Sequence, residues 1–240
     1  PARRVYIEKK NSTKKRPLGI PSTEDKLVQE VAKMILESIY EPNFSECSHG
    51  FRPKRSCHSA LQQIQNQFTG ITWFVEGDIH ACFDSFDHHV LVDILRERIE
   101  DENFLALIWK MLKAGYMEQW VYNCTFSGTP QGSGVSPILA NIYLSKLDDF
   151  AENLKKSFDK GKSKDNLEYQ RAASKLFYIR RRNRANWKNW NEQQRKEALR
   201  LQKDAINYMH SLPSKRANNE EYKSLVYCRY ADDFLIGVIG

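Results

Sequence analysis

The sequence predicts an α+β fold in which a few short, apolar, β-rich runs are set among long amphipathic helices. Three observations carry this reading. Apolar residues recur at helical spacing over 22–41, 88–99, 102–114 and 136–150; the runs TWFVE (72–76), QWVYNCTF (119–126) and SLVYCRYADDFLIGVIG (224–240) are strand-like; and residues 151–220 are highly charged with a mostly helical pattern. With 240 residues, of which 41% are hydrophobic and 28% charged, the chain can bury a sizeable core. No apolar run approaches the roughly 20 residues that a membrane-spanning helix needs, so no membrane partner is expected. The basic start PARRVYIEKKNSTKKRP has no apolar segment of the secretory type, and the cysteines at 47, 57, 82, 124 and 228 form no C-x-x-C pair and read as reduced thiols.

Each element has a local cause. Residues 1–21 read as extended and end in RPLGIP, whose prolines forbid a helix interior. Ser22 opens a helix: S-T-E-D fits a capping box, and Leu27, Val28, Val31, Met34, Ile35 and Ile39 form its apolar face up to Pro42. The polar loop CSHGFRPKRS leads to a second helix at 56–68. TWFVE is a strand entering Gly77-Asp78, and Asp87 N-caps a helix carrying Val90, Leu91, Ile94, Leu95 and Ile99. His88 and His89 at that helix start are expected to cap or pack, since no second Cys/His cluster supports zinc. After a helix at 102–114, QWVYNCTF reads as one strand and SGTPQGSGVSP as a loop. Ser136 and Pro137 suit the N-cap and first position of the next helix. Gly161 and Pro213 break the charged helical stretch. The last run is two strands joined at Ala231-Asp232-Asp233, a hairpin with carboxylates at its tip.

Charge is distributed unevenly. The net charge is +7, yet residues 151–223 hold 19 Lys/Arg against 9 Asp/Glu, while residues 61–150 hold 5 against 12. Basic flanks suit phosphates, and an acidic island inside them suits a divalent cation, although solvated helix faces have the same signature. Asp78, Asp232 and Asp233 all fall at strand ends. Aspartate favours turns for conformational reasons alone; adjacent anions on a buried hairpin nevertheless repel unless a cation compensates them, and a third acid completes a two-metal site for phosphoryl transfer.

At these residues the chain resembles a known family. Tyr230-Ala231-Asp232-Asp233 is similar to the YADD signature of reverse transcriptases; RPLGIP (16–21) and HGFRP (49–53) resemble the first two blocks of the group II intron-encoded reverse transcriptases and maturases; GDIHACFDSFD (77–87) resembles palm motif A and GTPQGSGVSP (128–137) motif B. All occur in the family order. The resemblance implies a right-hand polymerase: fingers over 1–70, palm over 71–150 with some fingers elements, a basic helical insertion over 151–223 and the palm YADD hairpin over 224–240. Its antiparallel palm sheet is flanked by helices, and the thumb is absent from this fragment, which on that account is expected to be inactive alone.

The resemblance also implies roles. Asp78, Asp232 and Asp233 match the catalytic acids, with the Ile79 carbonyl as a further ligand of two Mg²⁺ ions, for which Mn²⁺ is a substitute. Phe83 matches the aromatic steric gate against a ribose 2′-OH. Gln131 and Gly132 lie beneath the incoming deoxynucleotide, with Arg16 and Lys10 on its triphosphate. Ile20 and Pro21 line the templating-base pocket, and His49 and Arg52 serve fingers structure or contact the template backbone. The run Arg180, Arg181, Arg182 and Arg184, with Trp187 and Trp190 beyond it, suits structured RNA, a solvated helix pair or a dimer surface. The implied partners are intron RNA as template, a DNA or RNA primer and deoxynucleotides, in a bacterial cytoplasm. Two alternatives stand beside this function: a non-catalytic RNA-binding splicing scaffold, and another bacterial reverse transcriptase of the retron or diversity-generating type.

Overall fold

The computed structural model describes residues 1–8, 15–129, 132–162, 164–214 and 222–240. The positions of Lys10 and Gln131 lie outside them. The elements are β1 (Ala2–Glu8), β2 (Lys15–Ile20), α1 (Thr23–Tyr40), α2 (Cys57–Gln67), β3 (Trp73–Asp78), α3 (Cys82–Ser85), α4 (His88–Arg96), α5 (Glu102–Lys113), β4 (Tyr116–Glu118), β5 (Val121–Asn123), α6 (Ser136–Phe158), α7 (Leu167–Asn186), α8 (Glu192–Ser211), β6 (Ser224–Tyr230) and β7 (Asp233–Ile239). They divide into two compact units: residues 1–68, 74–157 and 226–236 form one, and 69–73, 158–225 and 237–240 the other.

In the first unit β1 and β2 pair antiparallel from Arg3 opposite Ile20 to Glu8 opposite Lys15. The sheet order is β2-β1-β4-β5, with β4 parallel to β1 and antiparallel to β5. The single strand expected at 119–126 is instead a hairpin, β4 and β5, because Gln119 and Trp120 take positive φ and turn the chain. A second sheet has the order β3-β7-β6. Its edge strand β3 leaves Trp73, Phe74 and Val75 exposed.

Helix starts follow their caps. Ser22 accepts a hydrogen bond from the Asp25 N–H, Asp87 from His89 and Val90, and Asp101 from Asn103 and Phe104. The expected N-cap Ser136 is already the first residue of α6. The main core is helical: Ala32, Leu36 and Tyr40 of α1 pack with Leu91 and Leu95 of α4, Leu105, Ile108 and Leu112 of α5, and Ile138, Leu139 and Ile142 of α6. Tyr40 donates its hydroxyl to the carbonyls of Ile94 and Leu95, and burial pushes its pKa up to about 12.

Most of the apolar face expected to bury α1 stays exposed, and of its residues Ile39 packs against the core. Leu27, Val31 and Met34 are 67%, 58% and 61% exposed, while Leu36 is fully buried. Small Ala32 lets the neighbouring helices approach, and Tyr40 supplies the bulk and a hydrogen bond, so the less hydrophobic stripe faces the core. In the second unit α7 and α8 pack through Ala172, Leu176, Asn183 and Ala198, and the Asn183 amide donates to the Ala198 carbonyl and to Gln202. Asn191 forms a capping box with Gln194 at the start of α8.

Two substitutions on α1 discriminate its faces. Leu36→Ala is expected to cost about 2 to 5 kcal/mol of unfolding free energy and Leu27→Ala about 0.5 kcal/mol or less, as read by denaturant titration. Equal losses would contradict the packing.

Candidate active site

The acidic tip is built from backbone held on several sides. Between β6 and β7 the turn is Ala231-Asp232, and Ala231 lies in the left-handed region at φ 58°. Ile79, the residue after β3, donates its N–H to the Asp232 carbonyl at 3.3 Å. Asp78 is the last residue of β3 and Asp233 the first of β7, so these bonds bring the end carrying Asp78 beside the turn carrying Asp232 and Asp233. The Ile79 carbonyl accepts from Cys82 N–H at 3.2 Å, which leaves it one free lone pair.

Beneath the turn lies a buried ion pair. Arg229 and Asp148 are 0% and 1% exposed. Arg229 donates from Nε and Nη2 to the two Asp148 carboxylate oxygens at 2.7 and 2.6 Å, from Nη2 to Ser48 Oγ at 2.8 Å, and from Nη1 to the Ala231 carbonyl at 2.7 Å and to Asn141 Oδ1 at 3.3 Å. Asp148 also accepts the Tyr227 hydroxyl at 2.8 Å. Burial, followed by the Asp148 charge, pushes the Tyr227 pKa far above its ordinary value.

The acids themselves carry uncompensated charge. The Asp233 carboxyl is raised above the usual range, first by burial and then by the charges of Asp232, Asp78 and Glu76. Among the described residues no Lys or Arg pairs with Asp78, Asp232 or Asp233. Burial and the Asp232 charge push the nearby Cys82 thiol up to about 11. Among the described residues no three His, Cys, Asp or Glu side chains already form a metal-holding group. The donor set is nevertheless oxygen-only and unneutralised, which is the chemistry that a hard divalent cation takes, so the residues fit one.

Phe83 stands next to this turn. It is half-buried, edge-on to Phe51 and Phe86 at 6.0 and 6.3 Å, and it lines a narrow crevice with Cys82, Asn141, Ala231 and Asp232. The glycine-rich loop is pinned alongside: Gly128 donates to the Phe86 carbonyl, Thr129 to the Phe83 carbonyl, and His88 Nε2–H to the Gly128 carbonyl at 2.7 Å. Gly132 has φ 103°, and a Cβ there would stand 2.7 Å from the Gly19 carbonyl, so only glycine lets this loop close on β2. Ile20 is half-buried and Pro21 buried just beyond that contact, and Arg16 is exposed on the same strand. Arg16 lines neither the crevice nor the neighbouring cleft of about 360 Å³.

Arg4 does line that cleft, with Gly19, Asp84, Tyr116 and Thr129, and its guanidinium lies 3.3 Å over the Tyr116 ring. The sequence reading missed Arg4, whose only signal was a cation in an extended basic segment.

Of the two readings of Arg52, its surroundings favour the structural one. Its side chain is buried and every guanidinium nitrogen is engaged, by the Glu41 carboxylate and carbonyl and by the carbonyls of Ser45 and Ser48. His49 is likewise internal, bridging Ser59 and Gln63. On α7, where successive residues turn by about 100°, Arg180, Arg181 and Arg184 fall within one arc and Arg182 falls outside it. Arg182 joins Arg171, Lys175 and Tyr178 along one groove of about 730 Å³, and Arg180, Arg181 and Arg184 do not line it. Arg182 also lies 5.7 Å over the Trp190 ring.

Two internal histidines give the first unit a pH response. Burial, ahead of every other cause, lowers the pKa of His49 and of His88, and His88 Nδ1 has no partner for a second proton. The folded protein therefore binds fewer protons than the unfolded chain below the ordinary value of 6.5, so stability is full above that pH and is lost as pH falls. Unfolding at pH 7.5 and 5.5 is expected to show this loss, with a smaller one in His88→Gln. A parallel pH response in both proteins would contradict the assignment.

Comparisons with known proteins identify the family. The family model described as reverse transcriptase (RNA-dependent DNA polymerase) matches residues 7–164. The group II intron-encoded protein LtrA of Lactococcus lactis subsp. cremoris is 48% identical over 242 residues, which cover all of this chain and 39% of LtrA. An uncharacterized 91 kDa protein in the cob intron of Schizosaccharomyces pombe is 47% identical over the whole chain and 28% of its own length, and protein YkfC of Escherichia coli is 37% identical over the whole chain and 55% of its own. A telomerase chain from Candida albicans superposes with a TM-score of 0.48 at 12% identity, over the whole chain and 38% of the telomerase chain. The chain thus spans about two fifths of the length of LtrA. No helix among the described residues is long and apolar enough to cross a membrane. With the family match covering most of its residues and the acids of the YADD turn set beside the end of β3, the chain belongs to the reverse transcriptase (RNA-dependent DNA polymerase) family.

Proposed function

We propose that the chain is the polymerising portion of a group II intron-encoded protein that copies RNA into DNA and holds intron RNA during splicing. The observation that carries the reading is the Ile79-to-Asp232 hydrogen bond, which sets Asp78 beside the Asp232-Asp233 turn in a chain 48% identical throughout to LtrA. On this reading residues 1–70 are fingers, 71–150 and 224–240 palm, and 151–223 an insertion. The separate compactness of 158–225 supports the last of these.

Asp78, Asp232, Asp233 and the Ile79 carbonyl are the groups that would hold two Mg²⁺ ions. Bound there, the ions would lower the pKa of the primer 3′-hydroxyl and stabilise the departing pyrophosphate. The chain's own residues do the rest. Phe83, packed on Phe86 and Phe51 next to Asp232, is the side chain that excludes a 2′-hydroxyl. Gly132 seats the glycine-rich loop on β2 to form the floor beneath the nucleotide, Ile20 and Pro21 take the template base, and Gln131 is assigned to the nucleotide from its place in the motif alone. Arg16 and Lys10 supply charge for the triphosphate. On the insertion, the α7 groove offers Arg171, Lys175 and Arg182 to RNA phosphates and Tyr178 to a base. Arg180, Arg181 and Arg184, within one arc of α7 beside that groove, add phosphate contacts.

Primer extension by the full-length protein on an RNA template tests the reading. Asp232→Asn is expected to lower DNA synthesis by about 10³-fold or more, since the charge that orients the reacting oxygens is gone, while RNA affinity stays unchanged. The triple variant Arg171→Ala, Lys175→Ala and Arg182→Ala should do the reverse, weakening RNA binding and flattening its log-log salt dependence by about one unit per lost phosphate contact. A parent protein that binds RNA but makes no DNA would favour the splicing-scaffold function instead.

A further inference from the structure

The turn that presents Asp232 and Asp233 is held by residues that carry no assigned part in the chemistry. Ala231 occupies the left-handed region, which a residue with a Cβ adopts only under constraint. Three contacts supply the constraint. Arg229 Nη1 donates to the Ala231 carbonyl at 2.7 Å. Gly50 packs on the Ala231 backbone so closely that a Cβ at position 50 would overlap its nitrogen. Asn141 ties the two together, accepting from Arg229 through Oδ1 and donating through Nδ2 to the Gly50 carbonyl at 2.9 Å.

The frame extends into the backbone on either side. Arg229 N–H donates to the Cys47 carbonyl at 2.8 Å, and His49 N–H to the Arg229 carbonyl at 2.9 Å, so residues 47–50 run along β6 as a short ladder that ends at the turn. The guanidinium itself has five N–H donors and meets five acceptors, in Asp148, Ser48, Asn141 and Ala231. An apolar group of equal volume would fill the core as well as a desolvated ion pair does. What it could not do is fix a carbonyl and an amide at set points round a fork.

We infer that Arg229, Asn141 and Gly50 are positioning residues that hold the Asp232-Asp233 turn in the one backbone conformation from which its carboxylates share a divalent ion with Asp78. This rests on the polymerase reading of the same acids. Asp148 neutralises the Arg229 charge, and Ser48 satisfies its last donor, so the fork cannot rotate away from the turn. Arg229 acts only through Ala231 and touches no substrate.

The experiment uses the full-length protein and the variants Asn141→Ala, Gly50→Ala and Arg229→Lys. Thermal unfolding and RNA affinity report whether each variant is folded. Mn²⁺ binding, followed by electron paramagnetic resonance of the free ion, and the split of primer extension into kcat and dNTP KM report positioning. In folded variants Mn²⁺ affinity is expected to fall by about 10-fold or more, as for groups that orient metal ligands, and kcat to fall with it while KM for dNTP is unmoved. Parental Mn²⁺ affinity in folded Asn141→Ala and Gly50→Ala would overturn the inference, whatever becomes of Arg229→Lys. A parent that binds Mn²⁺ but makes no DNA would sink the polymerase reading and leave the positioning claim to be decided by the Mn²⁺ affinities.

Discussion

A single desolvated guanidinium organises the region around the acids. Burying Arg229 costs several kcal/mol unless its charge and every N–H are matched, and the matching groups come from three stretches: Ser48, Asn141 with Asp148 on α6, and Ala231. Meeting that demand draws the loop at 47–50, the middle of α6 and the β6-β7 turn to one point. The same demand gives the fold its specificity here, since any slip of β6 relative to α6 would leave a buried charge without its partner.

From that point the rest of the site follows by short links. Asn141 and Leu144 sit on the face of α6 that backs Cys82, Phe83 and Phe86, so the frame that holds the turn also carries the aromatic wall beside it. Phe83 and Phe86 offer their carbonyls to Thr129 and Gly128, which locks the glycine-rich loop, and that loop in turn closes on Gly19. The acids at the tip remain unneutralised within this frame, and the Asp233 carboxyl is raised first by burial and then by the charges of its acidic neighbours. Structural charge is compensated and site charge is left open for a ligand.

Much of this was legible in the sequence, for physical reasons. The three aspartates stood at the ends of apolar β-rich runs, and the caps Ser22 and Asp87 preceded apolar periodicity, both signals confined to a few residues. What failed was anything that depends on distant partners. Arg52 is buried by Glu41, and Arg229, for which the sequence carried no signal, is buried by Asp148, 81 residues away. On α1 two stripes compete, and the stronger hydrophobic stripe lost to one containing Ala32 and Tyr40, whose fit is set by α4 and α5. The arginine run of α7 reads as one patch in sequence, but at about 100° per residue Arg182 falls outside the arc that Arg180, Arg181 and Arg184 share.

The central claim is that the loop at 47–50 and the acidic turn form one cooperative piece through Arg229 and Asn141. Amide hydrogen exchange measured across residues 45–52 and 226–236, in the parent and in Asn141→Ala, tests it directly. The account predicts that both segments lose protection together while the α5 amides keep theirs. Loss of protection in only one of the two segments, or in neither, would contradict it.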